Sequence, residues 1–242
     1  MDNYIIAFQS SRYNGLSLLD ELEFTVKSGL KCFDLFFDGF LPSDLTEKEI
    51  ERVFKLKKEE FFFTLHFPIR HYKEVDSDLE ELISFTNKLL PLTVTIHFDK
   101  ITESVIDYIF GKIDKRVKIS FENMTVDINK YSNLDYLNFT KMVKKRYNTY
   151  STFDIGHSFI NNKDTTSYLK KILNIVEIST IHIHNNDGIE DSHLSLDKGI
   201  IDYTKIVNFI KEQKLDPVFV IEHWDNNLKS YEILKKLLGT TI

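Results

Sequence analysis

Short runs of β-branched and aromatic residues recur along the chain, and each is followed by a longer stretch whose apolar positions step by three and four. The short runs predict strands at residues 4–8, 32–36, 61–66, 92–97, 118–122, 150–154, 178–184 and 218–222. The longer stretches predict helices at 17–28, 46–57, 77–90, 102–113, 133–146, 165–174, 203–213 and 226–238. Within 77–90, Leu79, Leu82, Ile83 and Thr86 fall on one face, the spacing of an amphipathic helix. The strand runs read as apolar almost throughout, as parallel strands covered on both faces should be. Eight strand–helix units in 242 residues predict an α/β fold, a single (β/α)8 TIM barrel occupying 1–242 as one domain. A doubly wound open sheet is the competing arrangement, and it would serve a ligand from only a few strands.

The polar residues favour the barrel. Six consecutive strand runs stop at an ionisable residue: His66, His97, Glu122, Asp154 (with His157 one turn later), His184 and Glu222. The loop after the seventh run adds Asp191 and His193. Parallel strands of a barrel deliver all these ends to one mouth. So many imidazoles and carboxylates in one place would suffer desolvation and like-charge repulsion, and a bound cation relieves both. Neutral imidazole and carboxylate are the usual zinc and manganese ligands. Glu122, Asp154, Asp191 and Glu222 bring about four negative charges, so one divalent ion leaves the mouth near −2 and three leave it near +2. The first balance suits a neutral sugar, the second an anionic phosphate. His182 shares a strand face with His184 and is read as supporting the site from a deeper layer. His71 and His223 are read as surface or supporting residues. Phe36 and Phe37 either cover an apolar edge of a substrate or pack into the barrel.

Composition narrows the partners. The formal net charge of −6 disfavours a protein that grips nucleic acid through a broad basic surface, without excluding a local groove. Lys141, Lys144, Lys145 and Arg146 read as a solvated basic helix face. The single cysteine, Cys32, cannot form an internal disulfide and suggests a reducing, cytoplasmic setting. Residues 1–8 lack the basic start and long apolar core of a signal peptide. No apolar run approaches the ~20 residues that span a bilayer. Oligomeric state is open, and a homo-oligomer is compatible with all of this.

Several fragments resemble the xylose-isomerase-like TIM-barrel superfamily, which groups sugar isomerases and epimerases with AP endonucleases of the endonuclease IV kind. His66-Phe67-Pro68 resembles its His-Ala-Pro, Glu122-Asn123 its Glu-Asn, and Asp154-Ile155-Gly156-His157 its Asp-Thr-Gly-His. His184-Asn185-Asn186-Asp187, then Asp191-Ser192-His193, then Gly199-Ile200-Ile201-Asp202 resemble its His-x-Asn-Asp, Asp-x-His and Gly-x-Ile-Asp series. On the isomerase side, the resemblance implies one divalent metal on Glu122, Asp154, His184 and Glu222. Glu122 and Glu222 then form the acid/base pair, and His157 binds substrate. On the endonuclease side, it implies three zinc ions on His66, His97, Glu122, Asp154, His157, His184, Asp191, His193 and Glu222. The cofactor expected is thus one to three divalent ions: zinc, manganese, magnesium or cobalt. Two departures matter. Asp197 and Lys198 interrupt the glycine pattern before Gly199, and Ile69 stands where the endonucleases carry a tyrosine that helps them enter DNA. These weigh toward a small carbohydrate-like substrate, with a multi-zinc phosphodiesterase as the alternative.

Overall fold

A computed structural model describes residues 4–11, 16–125, 133–223 and 225–239. Eight strands are hydrogen-bonded in parallel, in chain order, with the last closing on the first. They are β1 (Ile6–Gln9), β2 (Cys32–Phe36), β3 (Phe62–His66), β4 (Thr93–His97), β5 (Lys118–Glu122), β6 (Tyr150–Asp154), β7 (Ile178–Ile183) and β8 (Val218–Ile221). The helices among the described residues are α1 (Leu18–Lys27), α2 (Glu47–Lys58), α3 (Ser77–Leu89), α4 (Glu103–Lys112), α5 (Asn133–Lys144), α6 (Ile155–Asn161), α7 (Thr165–Leu173), α8 (Tyr203–Glu212) and α9 (Asn227–Leu238). The fold is the single (β/α)8 barrel, and the open sheet is excluded by the β8–β1 pairing. No described helix is long and apolar enough to cross a membrane.

Local chemistry sets the element boundaries. Ser17 and Thr46 begin α1 and α2 with reciprocal capping boxes to Asp20 and Glu49, satisfying backbone N–H groups that a helix start leaves orphaned. Asp76, Asp164 and Asp202 cap α3, α7 and α8. One helix, α6, was not expected from the sequence. It starts directly at the end of β6, because Asp154 is both the last strand residue and the cap that accepts from His157 N at 2.6 Å.

The strands alternate more strictly than their sequences suggest. Large apolar side chains (Phe33, Leu35, Phe63, Leu65, Ile96, Phe121, Phe153, Ile183, Phe219) are fully buried in the main core with the helices. On β4 to β7 intervening positions carry hydroxyls that meet inside the barrel. Thr95 Oγ1 lies 2.8 Å from Thr152 Oγ1, which lies 2.7 Å from Ser120 Oγ. Ser179 Oγ donates to Ser120 Oγ at 3.1 Å and meets Thr93 Oγ1 at 3.3 Å. The interior face is thus mixed: hydroxyls on β4 to β7, and an apolar patch of Ala7, Cys32, Val218 and Val220 on β1, β2 and β8. The hydroxyls satisfy one another in the buried interior, and this belt forms the floor of the mouth. A register shift at Ser151/Thr152 lets Ser179 join it.

Candidate metal centre

Every candidate from the sequence lies at the C-terminal mouth, and Glu122 is the hub. This carboxylate is 1% exposed. His66 Nε2 donates to its Oε2 at 3.0 Å, and His97 Nε2 lies 3.4 Å from the same oxygen. Its Oε1 faces His182 Nδ1 at 3.3 Å and His157 Nδ1 at 3.5 Å. Across the mouth, Glu222 Oε2 lies 2.8 Å from His182 Nδ1. His184 Nε2 meets both oxygens of Asp154, at 3.2 and 3.0 Å. Asp191 closes the outer side: its Oδ2 accepts from His157 Nε2 at 3.0 Å and lies 3.4 Å from His193 Nε2. The rings of His184 and His193 stack at 3.9 Å.

The scaffold behind these groups is specific. Asn123 clamps β5 to β6, donating to Asp154 O at 3.0 Å and accepting from Asp154 N at 2.9 Å. Tyr203 Oη donates to His184 O at 2.5 Å. Asn185 and Leu194 exchange backbone hydrogen bonds of 2.7 Å each, which returns the β7 loop to the mouth with His193 at φ 43°.

The donor set fits a divalent cation. His66, His157 and His193 each turn Nδ1 to a backbone carbonyl (Phe67 O at 2.8 Å, Asn123 O at 2.9 Å, Glu222 O at 2.8 Å). Such a bond fixes the ring and leaves Nε2 aimed inward, as metal-ligating imidazoles require. Buried His182 Nδ1 lies 2.8 Å from Glu222 Oε2 and 3.3 Å from Glu122 Oε1, three polar atoms close enough together to share one cation. Electrostatics agree. Burial opposes ionisation of Glu122, yet the charge of His182 and hydrogen bonds from His182 and His66 hold its carboxyl well below the usual range. Burial likewise opposes ionisation of Asp191, and His157 and His193 overcome it. His193 is in turn raised to about 9, against its burial, by Asp191 and Glu222. Burial pushes His97 down to about 4. The mouth is a concentration of ionised carboxylates that draws positive charge to itself.

Several assignments change. His182, read as a support from a deeper layer, has its Nδ1 beside Glu122, Asp154 and Glu222 at 3.3, 3.9 and 2.8 Å. Phe37 is fully buried against Phe40 and Phe85 and belongs to the core. Phe36 instead packs edge-on to the His66 ring at 4.5 Å, at the mouth. His71 is exposed, and His223 is buried with its Nε2 2.7 Å from Ser230 Oγ. Sequence reading missed Gln9 and Asp34. Gln9 Nε2 donates to Glu222 Oε1 at 3.0 Å and to Asp34 Oδ2 at 3.2 Å, and Asp34 also accepts from Thr64 Oγ1.

A crystal structure of a D-tagatose 3-epimerase-like protein superposes with a TM-score of 0.81, at 23% identity, over 97% of each chain. Endonuclease IV from Thermus thermophilus gives a TM-score of 0.70 at 14% identity, over 97% of this chain and 98% of that one. At these identities the likeness establishes the fold. Among curated proteins, the uncharacterized protein MJ1311 of Methanocaldococcus jannaschii is 36% identical over 90 residues, covering 36% of this chain and 30% of that protein. The chain thus matches under a third of that relative's length. Residues 44–239 match the model of one family across most of the barrel, and the chain belongs to that family, the xylose isomerase-like TIM barrels.

Proposed function

We propose that the chain is a divalent-metal-dependent isomerase or epimerase of a small sugar or related hydroxy-carbonyl compound. One observation carries this reading: Glu122, ending β5, and Glu222, following β8, bring Oε1 and Oε2 to 3.3 and 2.8 Å from the same atom, His182 Nδ1. Two carboxylates so placed flank a substrate carbon, one removing its proton and the other returning one, a contribution of about 10²–10⁴-fold for groups of this kind. A divalent ion (zinc, manganese, magnesium or cobalt) held by Glu122, Asp154, His184 and Glu222 would act as a Lewis acid on the substrate carbonyl. His157 orients a substrate oxygen through Nε2, the nitrogen that faces Asp191. Substrate arrives past Asp191 and His193, whose side chains are 32% and 16% exposed while Asp154 and His184 are fully covered. The D-tagatose 3-epimerase-like neighbour supports a sugar substrate. The net charge of −6 favours a small molecule over a duplex, and a cytoplasmic setting accords with the lone cysteine.

A second reading, a zinc phosphodiesterase of the endonuclease IV kind, draws on one further observation. His157, His184, Asp191 and His193 form a cation-sized grouping beside the inner one, which proton transfer alone does not need. Incubation with ketoses in deuterated water separates the two. Deuterium incorporation at a carbon beside the carbonyl, lost in Glu222→Gln, supports the isomerase. Absence of exchange, together with cleavage of abasic-site DNA and about three zinc ions per chain, would establish the phosphodiesterase instead.

A further inference from the structure

We propose that Asp34 is a positioning residue for Glu222: acting through Gln9, it holds the Glu222 carboxylate with Oε1 tied inward and Oε2 offered to the mouth. The proposal rests on the reading above in that Glu222 works at the mouth. Gln9 pairs with Asp34 in the β1–β2 register, and Asp34 pairs with Thr64 in the β2–β3 register. The three side chains therefore stand at one level on adjacent strands, and all are buried. Thr64 Oγ1 donates to Asp34 Oδ1. Gln9 Nε2 donates to Asp34 Oδ2 at 3.2 Å and to Glu222 Oε1 at 3.0 Å. Since β8 closes on β1, one hydrogen-bonded chain runs from β3 through β2 and β1 to the residue after β8.

A carboxamide has two N–H hydrogens, and Gln9 spends both on carboxylate oxygens. Turned over, its own oxygen would face those two oxygens, so only one orientation fits. Glu222 alone would select that orientation, but it would not fix where the amide sits. A glutamine side chain has several staggered rotamers, and one held only by Glu222 could swing together with it. Asp34 supplies the second point of attachment. Thr64, by occupying Oδ1, keeps the Asp34 carboxylate turned toward Gln9. Packing does not demand this polar level. One level deeper, β1, β2 and β8 carry Ala7, Cys32 and Val220, which pack as an apolar patch with Val218. A carboxylate that is 1% exposed is costly to bury where an apolar residue would continue that patch. Among the described residues, no cation-sized grouping includes Asp34, so it acts through Gln9 and not on an ion.

The chain has two glutamines, Gln9 and Gln213, and Gln213 is exposed at the end of α8. NMR of the full, chelated chain with isotope-labelled glutamine therefore reads Gln9 directly, with Gln9→Leu assigning its signals. Both Gln9 amide protons should exchange with solvent more slowly than those of Gln213. In Asp34→Leu both should lose that protection, including the one that faces Glu222. In Asp34→Asn both should keep it, because the introduced amide oxygen still accepts from Gln9. Zinc titration and deuterium exchange into D-fructose should follow the same order. Each should weaken roughly 10-fold in Asp34→Leu, no further when Gln9→Leu is added, and little in Asp34→Asn. A folded Asp34→Leu chain with a protected Glu222-facing proton and wild-type zinc affinity overturns the proposal. So does an Asp34→Asn chain as impaired as Asp34→Leu, since the charge and not the hydrogen bond would then matter. If Asp34→Leu does not fold, Thr64→Val decides: faster Gln9 amide exchange supports the anchor, and unchanged exchange overturns it. A wild-type chain that exchanges no C–H of any ketose removes the isomerase reading, while the amide protons and zinc affinity still decide the role of Asp34.

Discussion

The carboxamide of Gln9 donates to Glu222 Oε1 at 3.0 Å. The same nitrogen reaches Asp34 Oδ2 at 3.2 Å, so one side chain on β1 ties the carboxylate after β8 to one on β2. With Oε1 held, Oε2 is the oxygen turned to the mouth. Gln9→Leu removes the donor and leaves a buried carboxylate oxygen unsatisfied, and hydrogen bonds to charged groups contribute about 1.5–3 kcal/mol. The expected result is a fall in turnover of roughly 10- to 100-fold with KM nearly constant. Gln9→Glu should do worse, since it adds a third carboxylate against Glu222 and Asp34. Steady-state kinetics check both; a change confined to KM would assign Gln9 to substrate binding instead.

Gln9 and Asp34 also mark the limit of what the chain's pattern discloses. A strand that stops at a charged or imidazole residue stands out, and β3 to β6 end as their sequences suggest, at His66, His97, Glu122 and Asp154. Gln9 is uncharged, and Asp34 sits inside β2 with apolar residues on both sides, so neither breaks a run. Period-two alternation puts His182 and His184 on one face but says nothing of depth, which depends on strand tilt and on the shift at Ser151/Thr152. Helix α6 escaped because it is short, contains Gly156 and is nucleated by a strand residue, Asp154.

Gly156 makes a direct test of the outer wall. A Cβ built on it would overlap His184 Cε1 and lie 2.5 Å from His184 Nε2. Alanine has no rotamer that avoids this, so the ring must move off Asp154. Gly156→Ala should cost about 1–3 kcal/mol, the usual range for overpacking, and weaken zinc binding well beyond that loss of fold. Urea unfolding of the chelated protein and zinc titration separate the two effects. Wild-type zinc affinity in this variant would show that His184 is not needed where it lies.

Tyr136 offers the opposite case, stability without chemistry. Its hydroxyl donates to Phe121 O at 2.7 Å and lies 2.6 Å from Ser151 Oγ, pinning α5 to the pair β5–β6 behind Glu122. Tyr136→Phe should destabilise the chain by about 1–2 kcal/mol, the cost of leaving a buried partner unpaired. Zinc content and turnover should not change, since the ring still fills its place. A loss of metal in this variant would mean that the spacing of β5 and β6 is set by this one hydroxyl.

His223 gives the fold an acid sensitivity of its own. Ser230 Oγ accepts from Leu196 N at 3.0 Å and lies 2.7 Å from His223 Nε2, joining the β7 loop to α9 through a buried imidazole. Burial pushes this imidazole down to about 4, whereas an unfolded histidine titrates near 6.5. Between those values the unfolded chain binds a proton that the folded chain refuses, so stability falls as pH falls through that window. Other buried histidines and carboxylates titrate too, and the contribution is isolated by comparing the wild type with His223→Gln, whose amide oxygen can still accept from Ser230. With chelator present throughout, the stability of the wild type relative to the variant should drop by about 2 kcal/mol between pH 7 and pH 4.5. Urea unfolding at the two pH values measures it, and a difference independent of pH would mean that folding does not shift the titration of His223.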